Sequence, residues 1–176
     1  MKFTPAGLAG AYVIDLDRLE DERGYFARTF CRDEFAAHGL HSVFPQCNTS
    51  FNARKGTLRG MHYQEKPHEE AKIIRCTRGA IHDVIVDIRR DSRTYRKWIA
   101  VELTADNARM LYIPEGFAHG FQTLADGSEV FYQMSEMFHP ESARGLRWND
   151  PALAIRWPLA SPIVSERDAA YPDLGH

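Results

Sequence analysis

Between residues 71 and 89 the chain reads AKIIRCTRGAIHDVIVDIR. Two strand-like runs rich in β-branched residues meet at Arg78-Gly79, where glycine supplies turn chemistry. In the second run Val84, Val86 and Ile88 point one way, and Asp83, Ile85 and Asp87 the other. Similar runs recur at KWIAVEL (97–103), ARMLYIP (108–114) and EVFYQMSEMF (129–138), separated by clusters of Gly, Pro, Asn and Asp. Strands this numerous, with turns this regular, predict an all-β sandwich or barrel. Helix is confined to the edges. A short helix is expected over 33–38, with Asp33 as its cap and Gly39 as its terminator, and one helical turn over 165–170. The remainder beyond Trp157 reads as loop.

At 176 residues, with no repeat, low-complexity segment or obvious linker, the chain fits one domain over 1–176. A formal charge of −2 argues against nucleic acid as the main partner, which would call for a basic face. No apolar run approaches the length of a membrane span. The N-terminal run AGLAGAYVI soon meets Asp15 and Asp17 and reads as a strand rather than a signal peptide. Cys31, Cys47 and Cys76 are odd in number and widely spaced, which favours reduced thiols in a cytoplasmic protein.

Two stretches carry the chemistry. The first, TLRGMHYQ (57–64), places Arg59, His62 and Tyr63 close together, and Lys72 follows. Packing alone gives no reason to crowd cationic groups there, whereas an anionic ligand does. The second, IPEGFAHGFQTL (113–124), sets Pro114, Gly116 and His119 in the spacing P-x-G-x-x-H between two strand-like runs. A lone histidine in such a place is ordinarily an exposed loop residue. The glycines around Phe117 and Phe121 favour a turn that aims His119 back into the sandwich.

PEGFAHGF resembles the second motif of cupins, small jelly-roll proteins with a site inside the barrel. Within that group the chain resembles the dTDP-4-dehydrorhamnose 3,5-epimerase family almost end to end. The likeness runs through DERGYFARTF (21–30), FPQCNTSFN (44–52), GTLRGMHYQ (56–64), Lys72, GAIHDVIVDIRRDSRTYRKW (79–98), IPEGFAHGF (113–121), VFYQ (130–133), RGLRWNDP (144–151) and SERD (165–168). It implies an all-β jelly-roll (cupin) sandwich that epimerises a nucleotide-linked 4-keto-6-deoxy sugar at C3 and C5 without a cofactor. Protons flanking the ketone are acidic enough for a modest base if the enolate is stabilised.

The resemblance assigns roles residue by residue. His62 is the general base, and imidazole suits the role because it titrates near neutral pH. Asp168 pairs with it, Lys72 stands near the developing enolate oxygen, and Tyr132 returns a proton to the opposite face. Taken alone, Tyr132 reads as core packing, Lys72 as a solvated strand-end lysine and Asp168 as a helix cap; only the family match raises them above that. Arg23, Gln46, Asn48, Arg59 and His119 match positions that hold the sugar and diphosphate, where a guanidinium can grip phosphate oxygens with two hydrogen bonds. Tyr63 alternates to the other face and reads as structural.

Three positions depart from the family pattern. Arg28 replaces a glutamate at the nucleotide end of the substrate, Ala143 replaces a second glutamate, and Arg167 replaces a lysine. These changes leave open another nucleotide such as CDP, and pocket shape leaves open inversion at C3 or C5 alone. A non-catalytic sugar-binding cupin and a metal-dependent cupin oxygenase are the other readings. Metal-binding cupins present H-x-H and a glutamate with a second-motif histidine; here the run is His62-Tyr63-Gln64, His68 and His82 stand outside the motif, and no metal is expected. The resemblance also implies a homodimer in which residues near Arg23 and Phe26 reach the partner's site.

Overall fold

The computed structural model describes residues 1–175. In chain order the strands are β1 (Lys2–Pro5), β2 (Tyr12–Asp15), β3 (Leu19–Asp21), β4 (Gly24–Phe26), β5 (Gln46–Asn52), β6 (Leu58–Gln64) and β7 (Lys72–Arg78). They continue with β8 (Ala80–Asp87), β9 (Trp98–Thr104), β10 (Met110–Ile113), β11 (Phe117–Thr123), β12 (Ser128–Met134) and β13 (Ala143–Gly145). One sheet has the order β1-β2-β10-β7-β12-β5 and the other β13-β6-β11-β8-β9, and β3 pairs with β4 as a separate hairpin. All the ladder pairings are antiparallel. This is the two-sheet architecture expected from the sequence.

The turn at Gly79 does not join hydrogen-bonded neighbours. It is a corner at which the chain passes from one sheet to the other, since β7 and β8 belong to different sheets. Gly79 has φ 75°, and a Cβ there would lie 3.0 Å from Ser128 Cα, so only glycine turns this corner without displacing β12.

Both faces of each sheet are covered, which explains why β8 is apolar on both sides. Between the sheets lie Ile74, Ile85, Leu111, Phe117 and Val130. Outside the five-stranded sheet, Val84 and Val86 meet Leu146, Leu153 and Ile155 from the C-terminal stretch. Outside the six-stranded sheet, Phe35 packs on Ile14, Ile73, Met110 and Tyr112. Each such side chain contributes about 1.5–3 kcal/mol by leaving water.

Phe35 belongs to α1, which runs over Arg32–Ala37, one residue earlier than the sequence suggests. Asp33 lies inside its first turn rather than capping it; Cys31 is the N-cap and makes no side-chain cap bond. Gly39 ends the helix as expected, with φ 69° and its N–H donating to the Ala36 carbonyl. The turn near 165–170 is α2 (Glu166–Ala169), capped by the Ser165 hydroxyl, which accepts from the Asp168 N–H. The last predicted run ends early, at Met134, and residues 135–142 form a loop leading to β13.

Candidate active site

The two sheets enclose a cavity of about 570 Å³. The five-stranded wall supplies Arg59, His62 and His119, and the six-stranded wall supplies Gln46, Asn48, Lys72 and Tyr132. Arg167 reaches the rim from α2. The sequence-predicted groups thus converge from segments more than a hundred residues apart.

Strict alternation along β6 would put Arg59 and His62 on opposite faces, because they are three residues apart. A β-bulge resolves this. His62 pairs with His119 and Arg59 with Phe121, so β6 spends one residue more than β11 between the same two rungs. The alternation resets and both side chains line the cavity. The extra residue sits where the strands nearly touch: Gly60 has φ 141°, and a Cβ there would lie 2.6 Å from Gly120 Cα. Tyr63 then packs against the outer cluster, as its predicted structural role requires, although it also borders the cavity.

Behind His62 stands Asp168, brought there by α2. Its Oδ1 lies 2.8 Å from His62 Nε2, and its Oδ2 accepts from the Gly60 N–H at 3.1 Å. Burial pushes this carboxyl up, but the His62 hydrogen bond and charge, the Gly60 N–H and Arg167 outweigh it and leave the group below the ordinary carboxylate range. With Asp168 ionised, His62 donates from Nε2 and presents Nδ1 as the free basic nitrogen. Tyr132, on the opposite wall, is raised above the ordinary phenol value by burial, with Arg59 opposing.

Three partners were not legible as site residues in the sequence. Lys72 Nζ lies 2.7 Å from Glu70 Oε1, and both side chains are buried. His119 Nε2 lies 2.8 Å from Asp83 Oδ1, and Asp83 is fully buried on β8. Arg59 Nε donates to Asn52 Oδ1 at 2.7 Å, which fixes the guanidinium at the cavity wall. Asp83 had a signal, a carboxylate inside an apolar strand. Glu70 had only its place two residues before a lysine.

Arg23, Phe26 and Arg28 do not line the cavity. Arg23 pairs with Asp21 within the β3–β4 hairpin, Phe26 is 69% exposed, and Arg28 Nη1 lies 3.5 Å from Glu34 Oε1. Ala143, by contrast, does border the cavity, so the missing glutamate leaves an apolar methyl there.

The ligand set of metal-binding cupins does not fit these residues. Gln64 stands where the motif would carry its second histidine, and Glu70 is the carboxylate that borders the cavity. It holds the Lys72 ammonium and accepts the Gln64 N–H at 3.1 Å, so its charge is already matched. His62 and His119 each spend Nε2 on a buried aspartate, and an ammonium beside the carboxylate would repel a divalent cation.

A family model described as dTDP-4-dehydrorhamnose 3,5-epimerase matches residues 5–176. The enzyme of that name from Methanothermobacter thermautotrophicus is 44% identical over 98% of this chain and 94% of its own length. The crystal structure of the Bacillus anthracis enzyme with TDP and PPi bound superposes with a TM-score of 0.95 at 39% identity, covering 98% of both chains. The Legionella pneumophila enzyme, crystallised with dTDP-4-keto-L-rhamnose, gives 0.92 at 35% identity over 98% of this chain and 92% of that one.

Proposed function

Because the chain belongs to the dTDP-4-dehydrorhamnose 3,5-epimerase family, we propose that it inverts C3 and C5 of a dTDP-linked 4-keto-6-deoxyhexose. The observation that carries the mechanism is the division of groups between two walls. The His62–Asp168 pair stands on one and Tyr132 on the other, with Lys72 beside the acid.

His62 Nδ1 takes the proton from the carbon next to the ketone, and the C–H electron pair moves into the enolate. Asp168 holds the imidazole in orientation and stabilises the imidazolium that forms. The Lys72 ammonium, kept in place by Glu70, faces the developing enolate oxygen and offsets its charge. Tyr132 delivers its phenolic proton to the same carbon from the opposite side, which inverts it. A single group would return the proton to the face it came from. Proton exchange with water then restores both residues, and the cycle repeats at the second carbon. Arg59 and His119, with Gln46 and Asn48 across the cavity, hold the diphosphate and sugar.

The same reading makes 1–176 one catalytic domain working in the cytoplasm as a homodimer. No helix among the described residues is long and apolar enough to cross a membrane. Support for dimerisation comes from the β3–β4 hairpin, whose paired Leu19 and Phe26 are both 69% exposed. In a dimer, Arg23 and Phe26 would complete the partner's site.

Proton NMR of dTDP-4-dehydro-6-deoxyglucose with the protein in D2O tests the reaction. The expected outcome is loss of both the C3 and C5 proton signals. Loss of one alone would establish a single-site epimerase. Exchange only on the CDP analogue would mean that Arg28 and Ala143 mark a different nucleotide pocket. No exchange on either would leave a sugar-binding protein.

A further inference from the structure

Outside the cavity, two loops bring a second group of ligating side chains together. His68 comes from the β6–β7 connection, and Glu136 and His139 come from the loop after β12. One ligating atom from each lies within 4.8 Å of the others, and all three residues are partly buried. The two imidazoles stack with centroids 3.5 Å apart and planes 9° from parallel, so one ring must turn for both lone pairs to meet a single ion, and His139 Nε2 lies 3.8 Å from Glu136 Oε1. We propose that His68, Glu136 and His139 bind one divalent transition-metal ion of the zinc class.

Two further observations support this. Glu141 Oε1 lies 3.1 Å from His139 Nδ1, the ring nitrogen that faces away from Glu136. With Nδ1–H donating to that carboxylate, Nε2 keeps its lone pair toward Glu136. A carboxylate behind a ligating histidine is the usual means of fixing its tautomer in metal centres.

The second observation is the scaffold. Gln64 is buried and fastens both loops: its Nε2 donates to the His68 carbonyl at 2.9 Å and to the Met137 carbonyl at 3.1 Å, and its Oε1 accepts from the His139 N–H at 2.6 Å. One amide therefore ties together the backbones of the two loops that carry His68 and His139. Two imidazoles and one carboxylate suit zinc, cobalt or nickel better than magnesium or calcium, which prefer oxygen ligands. Three protein ligands leave a fourth position for water.

An ion here would tie the two loops together at the rim of the cavity. Phe138, between Met137 and His139, lines that rim, and its N–H donates to Gln46 Oε1 at 3.0 Å. The ion is thus a clamp on the entrance, apart from the proton-transfer groups.

Calorimetric titration of the chelator-treated full chain with zinc sulfate is the test, paired with cobalt(II) absorption and thermal melting. One zinc per chain, a d–d cobalt band and a raised melting temperature are expected. His139→Gln and His68→Gln should abolish all three while keeping the circular dichroism of the parent, and Glu141→Gln should weaken binding by about tenfold or more. His41→Gln should leave binding intact. The proposal is overturned if the chain shows no saturable binding, if His139→Gln binds as the parent does, or if binding is lost with His62→Gln instead.

Discussion

At the scale of single residues, the site shifts its titratable groups in opposite directions, as the proposed base and acid require. Asp168 is held ionised because His62, the Gly60 N–H and Arg167 together outweigh the burial that pushes it up. Tyr132 is shifted the other way, mainly by burial, so it keeps its proton where an ordinary phenol would begin to lose one. An acid must be protonated to act, and a raised value extends the protonated range upward. The alkaline limb of kcat that reports Tyr132 should therefore lie above the ordinary phenol value of about 10. Tyr132→Phe removes the proton but keeps the ring packed against the inter-sheet core. Its kcat should fall by about 10²–10⁴-fold, while TDP affinity is unchanged. Turnover assays and TDP titration check both; wild-type turnover in the variant would remove Tyr132 from the acid's role.

At the scale of elements, the bulge in β6 shows what the sequence could and could not reveal. Strand-like runs beyond residue 70, the edge helix and its glycine terminator follow from local patterns and appear in the structure with boundary shifts of one to a few residues, whereas AGLAGAYVI is strand only from Tyr12, because Gly7 and Gly10 take positive φ and make a turn. The common facing of Arg59 and His62 does not follow, because a spacing of three contradicts a period of two. It depends on contact with β11, a strand nearly sixty residues away in the chain. Glu70 was hidden for a related reason: in EEAK a glutamate beside a lysine looks like a solvated pair, and only the closing sheets bury it. The corner at Gly79 looked like an ordinary turn because hydrogen-bond partners are not local. The family resemblance supplied roles for His62, Lys72, Tyr132 and Asp168, but it could not supply these contacts. The bulge gives a direct prediction. Gly60→Ala places a methyl against Gly120 and forces an L-residue into φ 141°, so stability should drop by about 1–3 kcal/mol from the backbone strain alone. Urea denaturation reads the loss. Activity should fall further than stability, because a shifted bulge moves His62 relative to Asp168. Unchanged stability and turnover would show that the strands have room there.

At the scale of the whole molecule, both sheets are covered on both faces, by each other, by α1 and by the C-terminal stretch. The β3–β4 hairpin stands in contrast. Its cross-strand pair, Leu19 opposite Phe26, leaves two large apolar side chains in water, and Arg18 lies 4.4 Å over the Tyr25 ring beside them. A two-stranded hairpin gains little stability by itself, so an exposed apolar pair on one is better explained by a surface that covers it. A second copy of the chain satisfies this and would also bring Arg23 and Phe26 to the entrance of a site they do not line in their own chain. Leu19→Asp combined with Phe26→Asp should therefore convert the proposed dimer to a monomer in sedimentation equilibrium while leaving the circular dichroism of the sandwich unchanged. Because the arm would carry substrate contacts as well as the interface, kcat/KM should fall by about tenfold or more, the loss expected when a buried aromatic anchor is removed. Phe26→Leu keeps the apolar contact and should remain a dimer, which separates the interface from the aromatic contact with substrate. If the double variant stays dimeric with full turnover, the copies meet through another surface and the hairpin is not the arm.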